Sequence, residues 1–323
     1  MGVNLGVAIG DLRLANPVMP ASGCFGPELA PMIPLDRLGA VVTKTVFARL
    51  RSGNPSHRLT ETPYGMINAV GIPSHGTAYF VEKILPGYTA SGVPVVVSVG
   101  GLAVSEYGTV VDELGDSAYD ALEVNVSCPN LEHGGLEIGA DPRSVHEVTS
   151  LVVARTDKPV LVKLTPNVAR IDDIARAAED AGAAGITVAN TFVGLAVDLR
   201  RRRPVLGNTT GGVSGPAIKP IALRLVWQAA HAVSIPVIGC GGIATAADAA
   251  EFLMAGASAV QVGTATFTRP DAMIRVVDDL PPLLESLGVD SVASLVGTLT
   301  VPTPPQPDTG GGTDTRTSGG RHE

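Results

Sequence analysis

The sequence predicts an α/β fold, a (β/α)8 TIM barrel with an N-terminal β-hairpin and inserted active-site loops. Three observations predict it. Eight short, β-branched runs, at 17–20, 40–44, 95–99, 121–126, 160–164, 185–189, 236–239 and 259–262, alternate with longer Ala-, Leu-, Glu- and Arg-rich stretches of helical character. Eight is the number of units that closes a barrel. Polar or glycine residues follow nearly every run, whereas an open doubly wound sheet gathers its ligand residues at one switch point.

Each element follows from its residues. Residues 3–20 alternate apolar and polar positions around Gly10-Asp11, the pattern of a hairpin that caps one end of the domain. Helical character is clearest at 172–181, 221–232 and 246–255. Two long interruptions, 46–80 after the second strand and 127–142 after the fourth, read as binding loops or lids. Residues 1–300 are expected to form one barrel domain; the Pro-, Gly- and Thr-rich tail at 301–323 has little to bury and is expected to be disordered.

The chain has 323 residues, 45% of them hydrophobic and only 4% aromatic, with 38 Gly and 25 Pro, which suits many short turns around an aliphatic core. A net charge of −8 argues against a nucleic-acid partner. The basic run Arg200 to Arg203, just before Pro204, reads as a solvated loop. Residues 84–105 carry no charge, but Pro86, Gly87, Gly92 and Pro94 interrupt them too often for a membrane helix. No signal peptide is visible, so a cytoplasmic protein is expected. Three cysteines without a CxxC pair give no disulfide framework, no metal site and no internal iron–sulfur cluster.

A barrel delivers its chemistry at the C-terminal ends of its strands, so the residues found there form one constellation. They are Ala21-Ser22-Gly23, Lys44 and Thr45, Ser98, the segment Asn125 to Asn130, Lys163, Asn190 and Thr191, Gly241-Gly242 and Gly263-Thr264. The last two pairs follow the seventh and eighth strands, where barrels commonly hold a phosphate on backbone amides. Tight turns also use such glycines for geometry alone. Lys163 lies in PVLVKL, a run apolar enough to be buried, and requires either a bound anion or an internal carboxylate as partner. Asn68, Asn125, Asn130 and Asn190 together suit a flat hydrogen-bonding heterocycle such as a pyrimidine, although each is also a common turn-former. Cys128 stands between Ser127 and Pro129 in a polar loop, an unusual place for an inert thiol; Cys24 and Cys240 read as small hydrophobes.

These motifs are specific enough to carry a resemblance. From about Val7 to Gly297 the chain resembles the dihydroorotate dehydrogenases of class 1, most closely class 1B, through NPVMPASGCFG, GNPSHRLTETPYGMINAVGI, NVSCPN, VKLTPNV, VANTFVGLAVDL, TGGVSGPAIKPIALR and CGGI followed by AGASAVQVGTATF. The resemblance implies oxidation of dihydroorotate to orotate in pyrimidine biosynthesis. FMN would lie across the barrel mouth, its phosphate around Gly241, Gly242, Gly263 and Thr264, with Ser22, Lys44, Thr45, Ser98, Asn125, Lys163, Ala189 and Gly215 lining the rest. Substrate contacts would be Lys44, Asn68, Ala69, Val70, Gly71, Ile72, Asn125, Asn130, Asn190 and Thr191. Cys128 would remove the C5 proton while hydride passes from C6 to flavin N5, and Lys163 would stabilise charge on the flavin. Class 1B further implies electron transfer to NAD through a separate subunit carrying FAD and a 2Fe-2S cluster, in a heterotetramer; a homodimer is the simpler assembly, and direct use of fumarate would mark a class 1A habit.

The chain departs from the family pattern at Ser98, where an Asn is usual, at Ala189, which replaces a larger aliphatic, and in its tail. A dihydrouracil or dihydrothymine dehydrogenase shares the SCP loop and the GGVSG segment. A non-redox phosphate-binding isomerase or lyase would share only the glycine pairs.

Overall fold

The computed structural model describes residues 2–127 and 138–302. Eight parallel strands lie side by side in chain order: Val18–Pro20, Val41–Val42, Val95–Val99, Ala121–Asn125, Val160–Lys163, Gly185–Val188, Val237–Cys240 and Ala257–Val262. The eighth pairs with the first. The ring closes between first and second, where Gly39 N–H donates to the Val18 carbonyl at 2.8 Å and the Asn16 side chain bonds both Val18 N and Arg37 O.

The two faces of each strand explain the core. Residues such as Leu122, Val124, Val162, Ile186 and Val260 point outward and pack under the helices. Met19, Ala40, Val42, Val96, Ala121, Leu161, Ile238 and Ala259 point inward and form an apolar plug at the strand starts. The hairpin Val7–Ile9 with Leu12–Leu14 seals that end, adding Ile9, Leu12 and Leu14 to the plug. Above the plug the inward positions turn polar, so the barrel interior grades from hydrocarbon to hydrogen-bonding groups along its axis.

The helices Val104–Leu114, Pro142–Val153, Ile171–Asp180, Lys219–Ala232 and Ala246–Met254 follow strands three to seven, and Ala272–Ser286 follows the eighth after a short turn. The first strand is followed only by 3-10 turns, Pro27–Met32 and Leu35–Arg37; Pro31, inside the first, withholds an N–H that an α-helix needs. The interruption at 46–80, expected as a loop, contains strands. Leu59–Thr62 and Gly65–Asn68 join Phe192–Leu195 and Thr210–Ser214 in a four-stranded antiparallel sheet. The tail from 303 onward and the segment 128–137 lie outside the described residues. No helix among the described residues is long and apolar enough to cross a membrane.

Candidate active site

The polar ends of the strands enclose a cavity of about 250 Å³. Its wall takes Ser22, Lys44, Thr45, Asn125, Lys163, Ala189, Gly241, Gly242, Gly263 and Thr264 from the barrel, and Asn68, Val70, Gly71, Ile72, Asn190 and Thr191 from the inserted segments. Three further sequence-predicted residues stand behind that wall. Ser98 is fully buried and bonded to Thr45, Ala69 is fully buried beneath the antiparallel sheet, and Gly215 turns the chain after Ser214 with φ +97°. Cys128 and Asn130 lie outside the described residues.

Alternation along two adjacent strands sets the floor. Glu123 and Asn125 share the inward face of the fourth strand, and Leu161 and Lys163 that of the fifth, with Asn125 and Lys163 paired in register. Lys163 Nζ donates to Gln261 Oε1 at 2.8 Å and stands 3.8 Å from Glu123 Oε1. Glu123 Oε2 accepts from Gln261 Nε2 at 2.5 Å and Thr187 Oγ1 at 2.9 Å. Burial is the largest single influence on the ammonium of Lys163 and disfavours it, but attraction to Glu123 together with Cys240 and Cys24 holds the pKa above the ordinary lysine value. Lys163 therefore meets both sequence-stated needs at once: an internal carboxylate beneath it and a cavity in front of it.

A second network fixes the amides. Asn125 Nδ2 donates to Thr45 Oγ1 at 3.0 Å, while its Oδ1 accepts from Ser127 N and Ser127 Oγ. Asn190 Nδ2 donates to Ser127 Oγ at 2.9 Å, and its Oδ1 accepts from Thr191 N at 2.8 Å. Both amide orientations are thus determined by their partners, leaving Asn125 one N–H and Asn190 one lone pair. Thr45 joins Ser22 and Ser98 through shared hydroxyl hydrogen bonds. Asn68 Nδ2 donates to Gly212 O at 3.4 Å, across two paired strands of the antiparallel sheet.

On the opposite side, Gly241 and Gly242 have φ of +133° and +75°. A Cβ on Gly242 would stand 2.9 Å from Lys219 N and 3.0 Å from Gly215 O, so only glycine fits. Asp248 organises the following turn: it accepts from Ala244 N, Thr245 N and Thr245 Oγ1, and from Lys219 Nζ at 2.6 Å. Among the described residues, the N–H groups of Gly241, Gly242, Gly263 and Thr264 meet no protein acceptor. Unpaired backbone N–H donors of this kind can hold an anion.

Lys44 stands at the mouth, its pKa lowered by loss of water and by nearby Arg58. Cys24 and Cys240 also line the cavity, but burial pushes the Cys24 thiol up to about 11 and raises that of Cys240 too, so both are protonated at neutral pH.

A family model for dihydroorotate dehydrogenase matches residues 4–284, from the residues before the hairpin to the helix after the eighth strand. The chain belongs to the dihydroorotate dehydrogenase family. Among curated relatives, the dihydroorotate dehydrogenase B (NAD(+)), catalytic subunit, of Geotalea uraniireducens is 47% identical over 299 residues, 92% of this chain and 98% of its own. The proteins of the same name from Desulforamulus reducens and Bacteroides thetaiotaomicron are 47% and 46% identical, each over 92% of this chain and 99% of their own.

Sequence reasoning missed several residues of this dihydroorotate dehydrogenase family site. Leu59, Met66 and Ser214 reach the wall only through the antiparallel sheet. Glu123, Thr187 and Gln261 were legible in principle, because each precedes a wall residue by two positions and so shares its inward face.

Proposed function

We propose that this chain oxidises dihydroorotate to orotate in pyrimidine biosynthesis, using FMN, as the catalytic subunit of an NAD-linked enzyme. The observation that carries this reading is a single cavity lined by both glycine pairs, by the buried Lys163 ammonium and by Asn68, Asn125 and Asn190, in a chain of this family.

The donor set fits FMN. Unpaired N–H groups at Gly241, Gly242, Gly263 and Thr264 suit its phosphate, with Gly215 shaping the turn beside them. Ser22, Thr45, Asn125 and Ala189 suit the ring, with Ser98 steadying Thr45 from behind rather than facing the cavity. A bound flavin supplies the two-electron acceptor for the hydride leaving C6 of the substrate. Lys163 presents positive charge to the site in a medium where water does not screen it. Cys128 accepts the C5 proton, a role that rests on the NVSCPN resemblance. The charged Lys44 at the rim, with Asn68 and the segment Val70 to Ile72, suits the substrate carboxylate, with Ala69 packed behind them. Asn125, Asn130, Asn190 and Thr191 address the pyrimidine edge.

Electrons then pass to NAD through a separate subunit carrying FAD and a 2Fe-2S cluster, in a cytoplasmic heterotetramer. Curated relatives whose names give NAD(+) and catalytic subunit support this arrangement. The test is a steady-state assay of the FMN-loaded chain with an artificial acceptor, comparing dihydroorotate with dihydrouracil. A preference of roughly 10²-fold or more for dihydroorotate is expected, since a site built to hold a carboxylate loses that pairing with the neutral base. A reversed preference would replace this reading with a dihydropyrimidine dehydrogenase, and failure to take up FMN would leave a non-redox phosphate-binding barrel.

A further inference from the structure

Glu123 is a carboxylate with no exposed surface, standing inside the barrel one layer beneath the cavity floor. A charge in that position is expensive unless it is paired and hydrogen-bonded. Its two oxygens are treated differently. Oε2 takes both available donors, from Thr187 and Gln261, whereas Oε1 has no hydrogen-bond partner among the described residues and faces Lys163 Nζ at 3.8 Å.

The bridge between them is directional. Gln261 gives its amide N–H to Glu123 and its amide oxygen to Lys163, so reversing that amide would set N–H against ammonium and carbonyl against carboxylate. The carboxylate thereby fixes Gln261, Gln261 fixes Nζ, and the ammonium is held short of direct contact with Oε1. Its remaining donors stay on the cavity side, where Lys163 lines the wall.

We propose that Glu123 is a positioning residue: through Gln261 and its own charge it holds the Lys163 ammonium aimed into the flavin site. This rests on the FMN reading above. Glu123 touches neither substrate nor cofactor in this arrangement and acts only through Lys163. Two effects of its charge oppose each other at the flavin, since the carboxylate also repels a flavin that gains negative charge. The first outweighs the second, because Nζ is the nearer group and Oε2 is already neutralised in part by two donors.

The test is a double-mutant cycle read as the affinity ratio of reduced to oxidised FMN, obtained from the flavin midpoint potential by dye equilibration in the wild type, E123Q, K163M and E123Q/K163M. E123Q is expected to lower that ratio about tenfold, the scale of one charge-assisted hydrogen bond. In the K163M background only the direct repulsion remains, so E123Q is expected to leave the ratio unchanged or raise it slightly. A merely structural Glu123 would lower melting temperature without moving the ratio, which overturns the proposal. A ratio that rises when Lys163 is present, or that falls equally in both backgrounds, also overturns it, because the carboxylate would then not act through Lys163. E123D and K163Q repeat the cycle should either first-choice variant fail to fold, as judged by circular dichroism. A wild-type chain that binds no FMN overturns the flavin reading together with this proposal, an outcome distinct from normal FMN binding with an unmoved ratio.

Discussion

Lys163 concentrates the physics of this molecule in one side chain. It is buried, it is charged, and its counter-charge is the fully buried Glu123 3.8 Å away. Removing one member of such a pair costs more than removing both. Lys163→Met is therefore expected to destabilise the FMN-free chain by about 3 kcal/mol in urea unfolding, whereas E123Q/K163M recovers much of that loss. Equal losses in the single and double variants would mean that the two groups are not coupled. The sequence stated the need of Lys163 for a partner but not which residue met it, because strand register decides that. Once Asn125 and Lys163 are paired across adjacent strands, the position two residues before Asn125 must face the same interior. Asn125 and Asn190 were legible as amides at the strand ends, and both line the cavity. Their shared anchor at Ser127 was not, since it depends on how the loop after the fourth strand leaves the barrel.

At the level of elements, the eight strands were legible within one or two residues, because a buried parallel strand is an almost unbroken β-branched run and nothing else in the chain reads that way. The antiparallel sheet over the rim was not. Its strands are short, partly polar or glycine-rich, and the pairing that joins its two halves, Gly65–Asn68 with Thr210–Ser214, links distant parts of the sequence. The seam between the first and second strands was equally hidden. A Cβ on Gly39 would stand 2.0 Å from the Asn16 carbonyl oxygen, with backbone on both sides and nothing flexible to give way. Gly39→Ala is expected to cost about 2–3 kcal/mol of stability, as overpacking at a rigid site does. Chemical denaturation of this variant without loss of midpoint would show that the barrel is not closed there.

For the molecule as a whole, burial of protonated groups makes stability fall on the alkaline side. Burial raises the Cys24 thiol from 9.0 to about 11 and the Tyr88 phenol from 10.0 to about 12. Both are acids whose protonated form the fold prefers. Their contribution is fully present below the unfolded values and is lost as pH rises through the folded ones. Melting temperature is expected to decline from about pH 9 upward. Cys24→Ala should flatten the part of that decline between 9.0 and about 11, and a wild-type curve that is flat through this interval would contradict the burial of Cys24.

Everything said of the cavity converges on reduction of a bound flavin by dihydroorotate, and the direct measurement is the anaerobic absorption spectrum of the FMN-loaded chain before and after that substrate is added. The flavin band is expected to bleach within the mixing time in the wild type. In Cys128→Ala the flavin should bind normally and bleach about 10² to 10⁴ times more slowly, the usual contribution of a general base. A yellow protein whose spectrum dihydroorotate leaves unchanged would contradict the assignment of this cavity to dihydroorotate oxidation.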